Sequence, residues 1–294
     1  MSNYILSSES TIDLPYSYVN KRNISIIFYT YTANQRVYVD DMDRDPNALP
    51  NFYKMLQEGV MPSTSQINKF QYIEYFEELL QKGDVLHLAF GTGMTPSYLR
   101  AMEAHAELAP KYPDRKFIII DTTCASAGFG LLLDSAADKR DEGCSIDELA
   151  AWVEGIKYNI HHQFYSTDLK YFKRSGRVSG ATAMIATILG ICPIMHLNHA
   201  GKIISYSKAR GKKKAILTTI NEMEAHAIDG KNYSGKCFIS HSNSLEDAME
   251  TAKQIKERFP NVKDINISNI GTIIASHTGP GTVAVFFFGD ERTE

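Results

Sequence analysis

Short apolar segments alternate with helix-like segments through the first half of the chain, and this alternation restricts the possible folds more than any other feature. The β-rich runs are residues 3–7, 24–31, 84–90 and 116–121. Apolar residues recur at helical spacing over 68–81, and the segment 95–109 opens with Thr95-Pro96, a pair typical of an N-cap and a first helical position. Such alternation predicts a parallel sheet covered by helices on both faces.

The second half of the chain has a different order of elements. Apolar residues 193–197 and 203–207 flank Asn198-His199-Ala200-Gly201, which is typical of a hairpin turn. The first half ends with a predicted helix at 145–161, and the second half has helices predicted at 167–174, 180–189, 212–227 and 244–259, with strands at 236–240, 265–268 and 283–288. Ser145 and Glu148 form the capping box that opens the first helix. The predicted fold is therefore α/β with two domains, a parallel-sheet domain at 1–162 and a mixed-sheet domain at 163–294.

The charge balance, the cysteine spacing and the N-terminal segment argue against several classes of protein. The chain of 294 residues carries 31 Lys+Arg against 34 Asp+Glu, a formal net charge of -3, whereas nucleic-acid binding needs a cationic excess. The four cysteines form no CxxC pair, so we expect neither a metal site nor a disulfide framework. The segment from Met1 to Thr11 lacks the basic start of a signal peptide, which indicates a cytoplasmic location.

The longest uncharged stretch, residues 178–200, approaches membrane-spanning length. Pro193 and His196 interrupt it, and Gly190 marks a break. A buried helix followed by a strand explains the stretch better than a membrane span does, so no stable membrane insertion is expected.

Two polar loops precede predicted helices and carry hydroxyl groups. Thr64 and Ser65 lie in the first loop, and Thr92 and Thr95 lie in the second, which directly follows a strand. Such hydroxyls either cap a helix or, together with the N–H groups of a helix N-terminus, receive an anion. The second loop lacks the third glycine of a dinucleotide fingerprint and the lysine of a P-loop. It therefore suits one carboxylate or phosphate better than a nucleotide.

Two further loops carry side chains that can react or titrate. Cys124 and Ser126 are potential nucleophiles, but a nucleophile needs a base and a group that orients the base, and the sequence identifies no such triad. A tightly packed strand-to-helix turn is the favoured interpretation. His277 is followed by Thr278 and a Gly-Pro-Gly turn. A lone histidine is more often structural, but in this setting it can donate to a carboxylate and titrate near neutral pH.

Basic residues form two clusters on this net acidic chain. The first cluster is Lys170, Lys173, Arg174 and Arg177, and the second is Lys208, Arg210 and residues 212–214. Such clusters are usually solvated surfaces, and the alternative is a docking surface for an acidic partner or a phosphate.

Together, these motifs and their order resemble the DegV family of fatty-acid-binding proteins, which includes the fatty-acid-presenting subunits of bacterial fatty acid kinases. The segment 10–15 resembles the family's opening Ser-Thr-x-Asp-Leu-Pro, and Thr64-Ser65-Gln66 resembles its Thr-Ser-Gln-Pro motif. Three further elements of the family pattern are also matched. The matching residues are Asp121 with Ser126, Gly128 and Gly130, then residues 169–179, and then Pro193-Ile194 with Gly201, Lys208 and Arg210. His277-Thr278-Gly279-Pro280-Gly281 matches the most specific motif without a change. The resemblance spans nearly the whole chain.

The resemblance implies a lipid pocket between the two domains, with a long-chain fatty acid as ligand. The residues implied to contact its carboxylate are Thr64, Ser65, Thr92, Thr95, His277 and Thr278. In the kinase-associated members the protein presents this carboxylate to a separate ATP-dependent kinase, and the acyl phosphate feeds phospholipid synthesis. Arg177 and Arg210 would then face the partner or the phosphate. ATP and Mg²⁺ would bind to the kinase, so this chain would need no cofactor and no catalytic residue.

The predicted helix at 180–189 is a candidate wall of the acyl pocket. Its apolar residues include Met184, Ile185 and Ile188. A stripe of this kind is more often plain core, and both interpretations remain open.

The chain departs from the family pattern at several positions. Ile67 replaces the proline of the Thr-Ser-Gln-Pro motif, and Ser175 replaces the first glycine before Arg177. The loop 91–97 replaces Ser-Ser-Gly-Leu-Ser-Gly-Thr, although a hydroxyl is retained at Thr95.

Two other functions are compatible with the residues alone. The chain could bind or sense a small acid without a kinase partner. Alternatively, it could be a hydrolase that uses Cys124 or Ser126 with His277.

Overall fold

A computed structural model describes residues 4–178 and 190–293. Its strands are β1 (Tyr4–Glu9), β2 (Ser25–Ile27), β3 (Thr30–Ala33), β4 (Arg36–Val39), β5 (Ser63–Ser65), β6 (Asp84–Ala89), β7 (Phe117–Asp121), β8 (Ile160–Ser166), β9 (Ile191–Leu197), β10 (Ile203–Arg210), β11 (Lys236–His241), β12 (Asp264–Asn269) and β13 (Thr282–Phe288). Its α-helices are α1 (Tyr16–Lys21), α2 (Ala48–Gln57), α3 (Lys69–Leu80), α4 (Ser97–Leu108), α5 (Ser126–Asp141), α6 (Ile146–Ile156), α7 (Lys170–Ser175), α8 (Lys212–His226), α9 (Leu245–Arg258) and α10 (Thr272–Thr278).

The first half of the chain forms the predicted parallel sheet, with strand order β2-β1-β6-β7. From Val85 to Ala89, β6 is fully buried, as expected for a central strand covered on both sides. Asn68 caps α3 through a capping box with Gln71, which confirms the helix predicted there. The capping box at Ser145 is also confirmed.

Residues 24–31, predicted as one strand, contribute instead to two strands in different sheets. β2 pairs with β1 in the parallel sheet, whereas β3 pairs antiparallel with β4 and β5 in a three-stranded sheet. The chain changes sheets at Tyr29, whose N–H donates to Ser10 Oγ (3.1 Å) and whose hydroxyl donates to the buried carboxylate of Glu9 (3.0 Å). These contacts are distant in sequence, so the apolar pattern alone does not reveal the break.

The second half forms the predicted mixed sheet, with strand order β10-β9-β8-β13-β11-β12. The hairpin of β9 and β10 is confirmed. The helix predicted to reach residue 161 ends at Ile156, because Ile160 already begins β8, which pairs with β13 along its whole length. The domain boundary near residue 162 stays a prediction, although β8 belongs entirely to the mixed sheet.

Within residues 4–178 and 190–293, no helix combines the length and apolar character needed to cross a bilayer. The predicted helix at 180–189, with its pocket candidates Met184, Ile185 and Ile188, lies outside the described residues.

Candidate functional site

A cavity of about 350 Å³ lies among loops of the parallel sheet and strands of the mixed sheet. Successive side chains of a strand point to opposite faces. His162 and Phe164 of β8 and alternate residues of β13 therefore line the same wall. The remaining apolar lining is Phe90, Met94, Pro96, Ala125, Phe172, Leu197, Ile203, Ile270, Ile273 and Ile274, and the other polar lining includes Thr64, Ser65, Gln66, Thr95, Ser126, Arg177, His277 and Thr278.

The structure brings Thr64 and His277 together inside this cavity. Thr64 lies in β5, and His277 lies in the last turn of α10, where a loop was predicted. The Thr64 Oγ1 atom is 2.7 Å from His277 Nε2, a hydrogen bond in which either group can donate. His277 Nδ1 is buried and has no hydrogen-bond partner within the described part of the chain. This pair offers both a hydroxyl and a ring nitrogen to a polar ligand.

Arg174 connects the two segments that carry this pair. Its Nη2 donates to the carbonyl of Pro62 (2.7 Å), two residues before Thr64, and to the carbonyl of Ser276 (3.1 Å), next to His277. The sequence places Arg174 in a basic cluster, where a solvated side chain is the usual outcome, so this contact was not predicted.

His277 is held in its neutral form by its surroundings. Burial, with the positive charges of Arg177 and Arg174 acting in the same direction, lowers its pKa to about 4. The same two guanidinium groups favour an anion at this position. An anion beside the ring would raise the pKa of the imidazole and so oppose the effect of the two arginines.

Other predicted carboxylate ligands also line the cavity. Thr95 is buried, and its Oγ1 accepts the N–H of Ser97 at 3.3 Å. The N-cap of α4 is Pro96 and not Thr95 as predicted, so the helix begins one residue later, at Ser97. Thr278 is buried, whereas Ser65 is exposed. The exposed Ser65 indicates that this part of the cavity opens to solvent.

Thr92 does not lie where its predicted role requires. It is exposed and absent from the cavity lining, because its hydroxyl donates to the carboxylate of Asp121, which also accepts the Thr92 N–H at 3.1 Å. The prediction of Thr92 as a direct carboxylate ligand is therefore not supported by its position.

The two predicted partner-facing arginines are far apart. Arg177 is exposed and lines the cavity, whereas Arg210 is exposed at the end of β10 and does not line it. Arg210 follows the cavity residue Ile203 by seven positions, and at about 3.4 Å per residue this places it roughly 24 Å further along the strand. A direct contact of both arginines with one head group is not supported.

Steric constraints explain both glycines of the His-Thr-Gly-Pro-Gly segment. Gly279 has φ 66° and ψ -174°, and a Cβ there would lie 2.1 Å from the ring of Tyr171. Gly281 has φ 90°, and a Cβ there would lie 2.0 Å from Thr167 Oγ1. Only glycine suits both the backbone angles and the space, so the segment packs tightly against α7 and the residues before it.

The candidate nucleophiles are not paired with His277. Cys124 is fully buried, and burial raises the pKa of its thiol to about 12, which disfavours the reactive thiolate. Ser126 Oγ donates to Asp13 Oδ2 and lies 3.0 Å from Ser240 Oγ. The geometry of these described residues therefore gives no support to the hydrolase alternative.

Two further residues near the cavity were not predicted from the sequence. His162 Nε2 accepts the N–H of Ala125 (3.1 Å) beside the start of α5. Glu9 is fully buried, and its carboxylate accepts from the hydroxyls of Tyr29 and Tyr72 and from the N–H of Phe90. Both residues fix the backbone or rings that form the wall, and neither belongs to a motif that would reveal this role.

Comparisons with known proteins agree on one family. A family described as "Uncharacterised protein, DegV family" matches residues 6–290. A DegV domain-containing protein of Clostridium perfringens is 39% identical over 295 residues, covering 99% of both chains. A Thermotoga maritima protein named fatty acid-binding protein is 30% identical, covering 97% of this chain and 96% of the relative. The structure of the Streptococcus pneumoniae Fatty Acid Kinase (Fak) B3 protein loaded with linoleic acid shares the fold, with a TM-score of 0.84, 19% identity and coverage of 99% of this chain and 100% of that chain.

Proposed function

Because the chain belongs to the DegV family, we propose that it binds a long-chain fatty acid, with the acyl chain in the cavity and the carboxylate at Thr64 and His277. The observation that carries this proposal is the placement of one hydroxyl–imidazole pair within an otherwise largely apolar cavity. The 30% identical Thermotoga maritima relative named fatty acid-binding protein supports the ligand class.

The energetics of burial favour such a ligand. Each buried methylene contributes about 0.8 kcal/mol, so a long acyl chain contributes on the order of 10 kcal/mol before the cost of ordering it. The volume of about 350 Å³ is within the usual range for sites that enclose a small molecule.

The carboxylate needs hydrogen bonds of its own, because an unpaired buried charge is very unfavourable. Thr64 and Thr95 offer hydroxyl groups in the cavity, and His277 offers a ring nitrogen. Thr278 also lines the cavity, but its hydroxyl donates to the Gly279 carbonyl at 3.4 Å. The positive charge of Arg177 and Arg174 adds long-range attraction for the anion. This set of donors distinguishes a fatty acid from a neutral lipid.

We further propose that the bound carboxylate is presented to a separate kinase subunit, which supplies ATP and Mg²⁺ and forms an acyl phosphate. The shared fold with the Fatty Acid Kinase B3 protein supports this step, and so does the exposed position of Arg177 beside the cavity. In this proposal the chain itself holds and orients the substrate but transfers no phosphoryl group.

A competition titration tests the ligand class. We expect oleate to displace a fluorescent fatty acid from the purified chain, and butyrate to fail at the same concentrations because it buries too few methylenes. Displacement by butyrate with rejection of oleate would instead support a small-acid binding protein.

A further inference from the structure

Three potential metal ligands converge on the face of the mixed sheet opposite the cavity. His162 of β8 lines the cavity, so its neighbour His161 points to the other face. There, His161 Nε2 lies 2.9 Å from Asp290 Oδ1, and His226 Nδ1 lies 3.1 Å from the same oxygen. We propose that His161, His226 and Asp290 bind one divalent transition-metal ion, such as Zn²⁺.

The backbone holds these three side chains together. The Asp290 N–H donates to the His226 carbonyl (3.0 Å), and the neighbouring residues Ala227 and Gly289 form a β-bridge. A Cβ on Gly289 would lie 2.4 Å from the His226 carbonyl and 2.7 Å from the ring of His161. The glycine therefore permits the close approach of both histidines, and the cluster is ordered before any ion binds.

The donor set suits zinc and similar ions. The candidate ligand atoms all lie within 4.8 Å of one another. Two imidazole nitrogens and one carboxylate oxygen form a common zinc environment that leaves a fourth position for water. The Asp290 side chain is 61% exposed, so an ion can enter from solvent.

A second carboxylate lies beside the cluster. Glu222 lies one helical turn before His226, and its Oε2 is 3.8 Å from His226 Nε2, the ring nitrogen that faces away from Asp290. Metal-bound histidines usually direct their other ring nitrogen to a carboxylate, which favours the tautomer with a free ligand nitrogen. This separation is longer than a hydrogen bond, so Glu222 adds negative charge beside His226 without fixing the orientation of its ring.

The cysteine spacing predicts no metal site, and this proposal does not involve cysteine. Its ligands are separated by up to 129 positions along the chain, so only the fold brings them together. The proposed metal site lies on the opposite face of the mixed sheet from the fatty acid cavity. We therefore expect loss of metal binding to leave fatty acid binding unchanged, and the reverse.

Calorimetric titration of the full-length, tag-free and EDTA-treated chain with ZnCl₂ tests the proposal. We expect one ion per chain and, with Co²⁺, the intense visible absorption of a four-coordinate site. Asp290→Asn keeps a hydrogen-bond acceptor but removes the charge, and His226→Gln removes a ligand, so each should weaken affinity by more than about ten-fold. Glu222→Gln removes a nearby negative charge and should weaken affinity less than either ligand variant does.

His199→Gln is the matched control. His199 lies 3.1 Å from Glu291 in a pair that contains one histidine and one carboxylate, so its replacement should leave Zn²⁺ affinity unchanged. A wild-type chain that binds no Zn²⁺, or equal affinity in all variants, would overturn the proposal and leave a metal-free hydrogen-bonded cluster.

Discussion

His277 combines three properties that suit a ligand for a carboxylate. It is mostly buried, it is hydrogen-bonded to Thr64, and its burial together with two nearby arginines keeps it neutral. A neutral ring can donate one N–H to an anion without the desolvation cost of burying a second charge. The cluster therefore favours an anion at the cavity wall while its own charge remains low.

Removing a cavity hydroxyl should weaken fatty acid binding. Valine has the shape of threonine but cannot donate, and a hydrogen bond to a charged group contributes about 1.5–3 kcal/mol. We expect Thr64→Val and Thr95→Val each to weaken oleate binding by about ten-fold or more in the competition titration. Thr92→Val is the matched control, because Thr92 is exposed and bonded to Asp121. Wild-type oleate affinity in both single variants and in their double variant would exclude these hydroxyls from the site.

The pH dependence of stability should report the buried His277. Its pKa is about 4 in the folded chain and about 6.5 in the unfolded chain, so between these values the unfolded chain binds a proton that the folded chain does not. Stability should therefore fall as the pH drops from 7 to 4, and His277 should account for about 3 kcal/mol of the fall. His277→Gln should lose less stability than wild type between pH 7 and pH 4.5 in urea unfolding. An identical pH dependence in wild type and variant would contradict this account. The control is His199→Gln, at a histidine whose side chain is 38% exposed.

At the scale of elements, α10 and β5 form one unit around the proposed head-group site. Arg174 joins them through two backbone carbonyls, and the glycines after α10 pack against Tyr171 and Thr167. The position of His277 thus depends on the segment that includes α7, and damage to this packing should affect both stability and binding.

Two glycine variants separate the steric contact from backbone strain. Gly279 and Gly176 share φ 66°, but Gly279 has ψ -174° and no room for a Cβ, whereas Gly176 has ψ 17° and open space. Gly176→Ala should cost about 1 kcal/mol of unfolding free energy. Gly279→Ala should cost at least about 2 kcal/mol more and weaken oleate binding. Equal losses in urea unfolding would show that Gly279 is not sterically constrained.

Local signals predicted the elements that local sequence determines. The strands β6 and β7 follow from their apolar runs, α3 follows from the helical spacing of its apolar residues, and α6 follows from its capping box. β5 was not predicted, because it has only three polar residues and forms through pairing with β3. The contact of Thr64 with His277 joins residues 213 positions apart, so the motifs could nominate both residues but could not show that they meet.

At the scale of the whole molecule, the two sheets place the cavity so that its polar residues can reach a partner surface. The exposed Arg177 lies beside the cavity, and we propose that it faces the kinase or the phosphate that is transferred. Arg210 lies along the far part of β10, so any role it has concerns the partner and not the head group.

Arg177→Ala should separate lipid binding from presentation. We expect the variant to retain oleate but to reduce acyl phosphate formation by at least about ten-fold in an assay with a bacterial fatty acid kinase subunit, ATP and Mg²⁺, because it loses a charged hydrogen bond. Arg177→Lys keeps the charge and should recover part of the rate. A normal rate with Arg177→Ala would refute this role.

Native mass spectrometry of the purified chain, followed by solvent extraction of the bound material, tests the central claim most directly. The account predicts about one long-chain fatty acid per chain, or uptake of one after delipidation and addition of oleate. A chain that carries no lipid and takes up none under these conditions would contradict fatty acid binding while leaving the family and the fold in place.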